Sequence, residues 1–309
     1  MSVLTLSSKS LMHLRKGTFA KTLASYLRNR TQERRLRWWD RQIDKRRICL
    51  SGYRFFGARL NLYFDSQLCR ALYMQGYEAA EFHFLQRFLR PGDVFLDVGA
   101  NIGIYSLVAA KFVGSAGFVH SFEPHRKTYD RLQENIVRNR KRNILSYNVA
   151  ISDVAGSASL NYSLDGYDGW NSLTQPIKGH EFGVEEVSTM RLDDFCLAKD
   201  LTSEAIRMVK IDVEGWEANV LKGAERLLSH PKAPVLQMEF SEAACRNNGT
   251  SCDLLATQVT KFGFDLYVYD AADNRLTRIH GRNDCIDKNL LAIKNPDWVA
   301  LRSGVSVVA

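Results

Sequence analysis

One segment, FLDVGANIGIYSL at residues 95–107, constrains the fold of this chain more than any other. Its apolar, strand-like half ends at Asp97, and Gly99 and Gly103 then bracket a short turn before a helical pattern begins. Glycine lacks Cβ, so such a turn can be tight and a ligand can approach its backbone, while the free N–H groups of a helix N-terminus attract an anion. The segment therefore predicts a strand, a ligand-binding turn and a helix in direct succession.

The charges around this turn indicate which ligand it suits. The spacing D-x-G-x-N-x-G differs from the dinucleotide fingerprint G-x-G-x-x-G, and a carboxylate at Asp97 repels a pyrophosphate but suits an ammonium group. Glu123 closes the next apolar segment, where a carboxylate can accept two hydrogen bonds from a ribose diol. A ligand with an amino-acid end and a ribose end is S-adenosylmethionine, which we predict as the cofactor. A tight turn without any ligand is the alternative.

Apolar strands and amphipathic helices alternate from residue 94 onward. This alternation predicts an α/β fold, with a mostly parallel sheet and helices on both faces. Ligands of such sheets bind beyond the carboxyl ends of the strands, which is where polar residues cluster in this chain. We predict strands over residues 94–99, 117–123, 143–150, 206–212, 233–240, 264–270 and 289–294, a strand or hairpin over 53–64, a helix over 77–90, and a strand pair at 158–164 and 184–191.

Six blocks of the sequence resemble the FkbM family of class I S-adenosylmethionine-dependent methyltransferases. They occur in matching order over roughly residues 76–294 and are FLDVGANIGIYSL, SFEP (121–124), NVAISD (148–153), MRLDDF (190–195), VKIDVEGWEANVLKGAE (209–225) and LQMEF (236–240). The resemblance implies a Rossmann-like class I methyltransferase fold with a seven-stranded sheet whose last strand is antiparallel. It also implies methyl transfer to a hydroxyl of a sugar, glycan or other small-molecule acceptor.

The same resemblance implies which residues bind the cofactor. It assigns Asp97, Gly99, Asn101 and Gly103 to the methionine end, Glu123 to the ribose, Asn148 and Ala150 to the adenine, and Ala100, Tyr105, Pro124 and Asp212 to the rest of the cofactor site. Taken without the resemblance, NVAISD indicates an ordinary strand-to-turn transition.

A second acidic loop follows a buried strand at VKIDVEGWE, residues 209–217. Asp212 and Glu214 come just past this strand and Glu239 ends its neighbour, so three carboxylates are expected at one edge of the sheet. An alcohol needs a base to become a good nucleophile, and clustered carboxylates raise one another's proton affinity. We therefore predict Asp212, Glu214 and Glu239 as the catalytic residues. Lys210, on the opposite face of its strand, is expected to be structural.

These acidic residues also have simpler interpretations. Asp212 or Glu214 can cap the helix that follows, and Glu239 can accept hydrogen bonds from backbone N–H groups. Oxygen ligands also suit magnesium, but no decisive set of ligands is evident, and we predict no metal site.

The positive charge of the chain is concentrated in its first 47 residues. They contain 13 Lys or Arg residues against three Asp or Glu residues, which leaves +10, whereas the whole chain carries +8. We therefore predict a basic N-terminal arm over residues 1–50 and a methyltransferase domain over residues 51–300. Because this second part is close to neutral, nucleic acid is not the expected partner.

Helical spacing of apolar residues such as Phe19, Leu23 and Leu27 predicts an amphipathic helix in the arm. One interpretation places this helix on an anionic membrane surface, with Trp38 and Trp39 at the interface. The alternatives are a helix docked on its own domain, a transit peptide, and an arm that holds phosphates for an RNA methyltransferase. A non-catalytic module that binds the cofactor is a further alternative for the whole chain.

Cysteines and hydropathy indicate where the protein resides. The six cysteines form neither a CxxC motif nor the spacing of a zinc site, and we interpret them as reduced thiols of a cytoplasmic protein. No stretch approaches the ~18 apolar residues of a transmembrane helix. Membrane association through the arm is the alternative that the sequence leaves open.

Overall fold

The computed structural model describes residues 16–74, 77–176, 179–280 and 282–308, with the backbone alone for residues 16–29, 282 and 283. The strands are β1 (Cys49–Phe55), β2 (Ala58–Tyr63), β3 (Val94–Val98), β4 (Phe118–Phe122), β5 (Ile144–Tyr147), β6 (Ala150–Ile151), β7 (Gly156–Ser163), β8 (Phe182–Met190), β9 (Ile206–Ile211), β10 (Val235–Phe240), β11 (Asp265–Asp270), β12 (Arg275–Arg278), β13 (Lys288–Ile293) and β14 (Ser306–Val308). The helices are α1 (Lys16–Asp44), α2 (Gln67–Tyr73), α3 (Ala79–Phe88), α4 (Ile104–Phe112), α5 (Arg126–Arg138), α6 (Leu192–Ala198), α7 (Glu217–Gly223), α8 (Glu225–Ser229), α9 (Glu242–Asn247), α10 (Cys252–Lys261) and α11 (Pro296–Ser303).

The central sheet has the order β14-β12-β11-β13-β10-β9-β3-β4-β5. Its core, from β5 to β10, is parallel, and β13 runs antiparallel to both of its neighbours. The predicted α/β fold with a mostly parallel sheet is therefore confirmed. The sheet has nine strands and not the seven implied by the resemblance, because the chain turns back after β11 and adds β12 and β14 at the edge.

Successive residues of the central strands serve two separate hydrophobic cores. In β3, Phe95 packs into the core that contains α3 and α4, whereas Leu96 packs into the core that contains α7 and α10. Side chains of a strand alternate between the two faces, so helices cover both faces of the sheet. All five residues of β3 are buried, which explains why this strand reads as a nearly continuous apolar run.

The strand predicted over residues 143–150 is wrong in its second half. Strand β5 ends at Tyr147, and β6 leaves the central sheet to pair with β8 in a separate sheet of order β6-β8-β7. The side-chain amide of Asn148 donates to the carbonyls of Glu123 and Pro124, at 2.9 and 2.6 Å, and so turns the chain at this point. The small sheet then carries residues 168–173 toward the carboxyl edge of the central sheet.

The end of α1 is docked on the rest of the protein. Trp39 is fully buried, with its ring 4.7 Å from Phe64 and 5.3 Å from Tyr73, centroid to centroid. The interpretation that places Trp39 at a membrane interface is therefore wrong, and docking on the chain's own domain is correct for this end of the helix. The predicted amphipathic residues Phe19, Leu23 and Leu27 lie outside the side chains that the structure describes.

None of the helices in the described part of the chain has both the length and the apolarity that a bilayer span requires. The predicted boundaries at residues 50 and 300 stay predictions, and β14 extends the central sheet as far as Val308.

Removal of the Trp39 side chain should cost stability. We expect Trp39→Ala to lower the free energy of unfolding by about 3–5 kcal/mol, because it leaves a large cavity in a packed core. Chemical denaturation measures this difference. Trp38→Ala is the matched control, since Trp38 is only partly buried against Tyr73 and should cost less. Equal losses in the two variants would contradict the docking of Trp39.

Candidate active site

A cavity of about 220 Å³ lies at the carboxyl ends of β3, β4, β9 and β10. The segment 168–173, carried by the small sheet, contributes to its wall. Ten of the predicted site residues line this cavity, namely Gly99, Ala100, Asn101, Tyr105, Glu123, Pro124, Ala150, Asp212, Glu214 and Glu239. The structure thus brings together most of what the sequence singles out.

Two glycines make the turn after β3 possible. Gly99 has φ +77°, and a Cβ there would lie 1.9 Å from the carbonyl oxygen of Asp212. Gly103 has φ +89°, and a Cβ would lie 2.4 Å from Cδ1 of Leu132. Both positions exclude other residues by backbone conformation and by space. The turn after β3 therefore packs directly on the loop after β9, which puts the glycine turn and the acidic loop side by side.

Glu123 is built into this turn as a hydrogen-bond acceptor. One of its carboxylate oxygens accepts from the backbone N–H of Asn101 and the other from that of His125, both at 2.9 Å. Each oxygen can accept a second hydrogen bond, so the carboxylate can still bind a diol. Burial raises the pKa of Glu123 to about 7, although the two backbone donors oppose the shift. Its charge is therefore sensitive to pH near neutrality.

Three predicted cofactor residues do not line the cavity. Asp97 is completely buried, and its carboxylate accepts from the hydroxyl of Ser106 at 2.5 Å. Burial raises the pKa of Asp97, against the opposing charge of Lys210. Gly103 lies at the start of α4, and Asn148 is exposed and bonded to carbonyls behind the site. These three residues support the turn and the strand end from outside the cavity.

The loop after β9 forms an acidic cluster with the end of β10. One carboxylate oxygen each from Asp212, Glu214 and Glu239 lies within 4.8 Å of the others. Burial, followed by repulsion from neighbouring carboxylates, raises the pKa of Glu239 to about 9 and that of Glu214 well above its usual range. One oxygen of Glu239 has no hydrogen-bond partner within the described part of the chain. The cluster therefore retains protons and unused hydrogen-bonding capacity.

Neither Asp212 nor Glu214 accepts the backbone hydrogen bonds at the start of α7; another glutamate does. Glu217, not Asp212 or Glu214, accepts from the backbone N–H groups of Val213 and Gly215, at 3.0 and 3.2 Å. The backbone of Glu214 is left-handed, with φ +53°, and the hydroxyl of Ser172 donates to its carbonyl at 2.8 Å. Such a strained conformation persists only where surrounding contacts impose it. Here the contact with Ser172 holds the backbone of Glu214, whose side chain lines the cavity.

Lys210 is the one cation in the cavity wall among the described residues. Its ammonium group donates to the carbonyl of Gly99 at 2.8 Å and pairs with Asp212 at 3.0 Å. Burial lowers the pKa of Lys210, but the charges of Asp212 and Asp97 outweigh burial and raise it. Three carboxylates this close can in principle ligate a divalent cation, but one of them already has Lys210 as its counter-ion.

Sequence reasoning missed two acids of the cavity wall. Glu78 precedes α3, and Asp168 lies in the segment above the turn, where its carbonyl accepts from the side chain of Asn101 at 3.2 Å. Neither sits at a strand end, so the rule that locates sites at carboxyl ends of strands does not find them. Only the folded chain brings them to the cavity.

Known methyltransferases match a large part of this chain. Residues 97–266, more than half of the chain, match the family model described as the methyltransferase FkbM domain. The chain is 33% identical over 166 residues to the 31-O-demethyl-FK506 methyltransferase FkbM of Streptomyces tacrolimicus, covering 44% of this chain and 61% of that protein. It is 29% identical over 136 residues to the hexuronic acid methyltransferase AglP of Haloferax volcanii, covering 44% and 52%. This chain thus spans less than two thirds of either relative.

Solved structures give a weaker likeness. The methyltransferase FkbM from Methylobacillus flagellatus superposes with a TM-score of 0.39 and 18% identity, over 73% of this chain and 54% of that one. Fibrillarin from Aeropyrum pernix, solved with bound S-adenosylmethionine, superposes with a TM-score of 0.34 and 12% identity, over 69% and 72%. On the match of its residues 97–266, the chain belongs to the FkbM family of S-adenosylmethionine-dependent methyltransferases.

Proposed function

We propose that this protein transfers the methyl group of S-adenosylmethionine to a hydroxyl oxygen of a sugar, glycan or other small-molecule acceptor. The observation that carries the proposal is the contact between the glycine turn after β3 and the acidic loop after β9, which gives one cavity a cofactor end and an acidic end. The name of one relative specifies 31-O-demethyl-FK506 and that of the other a hexuronic acid, which supports an oxygen-bearing acceptor.

The cavity wall fits the two ends of this cofactor. The missing Cβ of Gly99 lets the turn pack on the loop after β9, and Glu123 has acceptor capacity for the ribose hydroxyls. Ala150 and Pro124 would border the adenine, and the carboxylate cluster would face the positively charged sulfur. When bound, the cofactor supplies an activated methyl group. We propose that Asp97, Gly103 and Asn148 act on cofactor affinity indirectly, through the position of the turn.

The acidic end of the cavity would receive the acceptor. Methyl transfer is an in-line displacement, so the protein must orient the hydroxyl, exclude water and take up its proton. We propose that Asp212, Glu214 and Glu239 orient the acceptor, because protonated carboxyls donate and ionised ones accept hydrogen bonds. The segment 168–173 would close the site from above. These features give no separate support to an RNA methyltransferase or to a non-catalytic module that binds the cofactor. A cytoplasmic location stays a prediction.

Loss of the Glu123 carboxylate should weaken cofactor binding. We expect Glu123→Ala to reduce the affinity for S-adenosylmethionine at least 10-fold, about 1.4 kcal/mol, as measured by calorimetry. Asp97→Ala should have an effect of similar size, through displacement of the turn. Glu186→Ala, an exposed glutamate on β8, is the matched control and should bind normally. Unchanged affinity in both site variants would remove Glu123 and Asp97 from the cofactor site.

The same carboxyl predicts how cofactor binding depends on pH. Because Glu123 accepts hydrogen bonds best when ionised and has a pKa of about 7, affinity should fall as pH is lowered from 8 to 6, by up to about tenfold. Glu123→Gln stays neutral and should lose this part of the dependence. The amino group of the ligand also titrates, so the difference between the two proteins is the quantity to compare. Parallel pH curves would speak against Glu123.

Turnover should depend on the acidic cluster more than cofactor binding does. We expect Asp212→Asn or Glu239→Gln to reduce release of S-adenosylhomocysteine at least 10-fold while changing the Kd for S-adenosylmethionine by less than about threefold. The assay uses a panel of methyl glycosides, uronic acids and hydroxylated macrolides. Equal losses of turnover and affinity would instead assign these residues to cofactor binding.

A further inference from the structure

Glu78 stands at the start of α3, outside the segment that matches the family model. Its backbone is left-handed, with φ +37°, which a residue with a side chain rarely adopts. A polar residue in this position commonly caps the helix, yet the carboxylate of Glu78 makes no capping hydrogen bond. Instead, Glu78 lines the cavity beside Tyr77. The strained backbone of Glu78 therefore accompanies a side chain that lines the cavity and does not cap its own helix.

A buried chain of donors fixes the carboxylate of Glu78. The hydroxyl of Tyr105 donates to one oxygen at 2.7 Å, and the side-chain amide of Asn289 donates to the other at 3.1 Å. The amide of Gln237 in turn donates to the oxygen of Tyr105 at 2.6 Å, which directs the single hydroxyl proton of Tyr105 toward Glu78. Tyr105 and Gln237 are both buried. These donors favour the ionised form of Glu78 and hold it in one orientation.

The other acids of the cavity are less suited to accept a proton. Asp212 is paired with Lys210 at 3.0 Å, and burial together with repulsion from neighbouring carboxylates raises the pKa of Glu239 to about 9 and that of Glu214 well above its usual range. Glu123 is held in the turn by two backbone N–H donors, and Asp168 accepts from the hydroxyl of Ser66. Charged or titratable groups face Glu78 from four elements, namely Tyr77 and Glu81 on its own segment, Tyr105 on α4, Lys210 and Asp212 at the end of β9, and Glu239 on β10. Burial, then the charge of Asp212, raises the pKa of Glu78 to about 7, against the donor Tyr105.

We propose that Glu78 is the catalytic base that removes the proton of the acceptor hydroxyl, an inference that rests on the proposed function. In the step it serves, the hydroxyl oxygen forms a bond to the methyl carbon while the bond from that carbon to sulfur breaks. The electron pair of the broken bond stays on sulfur, which yields S-adenosylhomocysteine. The hydroxyl proton moves to a carboxylate oxygen of Glu78 and passes to solvent when the product leaves. Asp212, Glu214 and Glu239 orient the acceptor.

Substitution of Glu78 with glutamine tests this role, with Glu186→Gln as the control. Glu186 is exposed on β8 and does not line the cavity. We expect Glu78→Gln to lower kcat at least 100-fold on the acceptor panel above, with the Kd for S-adenosylmethionine within twofold of wild type. Glu186→Gln should keep turnover within about twofold. Thermal unfolding checks that both variants are folded.

The pH profile of kcat in Tyr105→Phe tests the role of Glu78 independently. Loss of its hydroxyl removes a donor that stabilises ionised Glu78, so the acidic limb of the kcat profile should move to higher pH. An unmoved limb, or a Glu78→Gln variant with more than half of wild-type turnover, overturns the role of Glu78 and leaves the proposed function intact. Parallel loss of cofactor binding in Glu78→Gln also overturns it. A wild-type protein that releases no S-adenosylhomocysteine with any acceptor contradicts the proposed function and this inference together.

Discussion

The buried ammonium group of Lys210 joins the two halves of the site. It donates to the carbonyl of Gly99 in the turn after β3 and pairs with Asp212 in the loop after β9. A buried charge without partners is very costly, so these contacts are obligatory for a folded chain. The missing Cβ of Gly99 lets the two loops touch, and Lys210 sets the distance between them. Lys210 thus links the turn after β3 to the loop after β9 at the edge of the cavity.

Around this single cation the protein gathers more carboxyls than it can neutralise. The consequence is a set of acids with different proton affinities in one small volume, which is the arrangement that acid–base chemistry requires. Asp212 pairs with Lys210, whereas burial raises the pKa of Glu239 to about 9 and that of Glu78 to about 7. Different environments thus give chemically identical groups different roles. Burial, and not residue type, makes the distinction.

Sequence reasoning was accurate where chemistry is local. The turn at Gly99, the acid at Glu123 and the acidic loop at Asp212 each follow an apolar strand directly, and the common edge of a parallel sheet brings them together. It does not reach what depends on packing. Asp97 and Glu123 both stand at the end of an apolar strand, but the carboxylate of Asp97 is completely buried and accepts from Ser106, and no spacing rule distinguishes the two. The part of Asp97 in cofactor binding stays a prediction. The sequence around Trp39 is typical of a tryptophan at a membrane interface, but in the structure its ring is buried against Phe64 and Tyr73.

The wall of the cavity comes from two parts of the chain. The glycine turn and the three clustered carboxylates lie within residues 97–266, which match the family, whereas Leu68, Tyr77 and Glu78 reach the wall from the segment before it. That segment is tied to the site by the hydroxyl of Ser66, which donates to Asp168 at 2.8 Å. If the proposed function is correct, the earlier segment contributes to the acceptor end alone. Substitutions before residue 97 can then alter the acceptor end while the turn at Gly99 and the contacts of Lys210 stay unchanged.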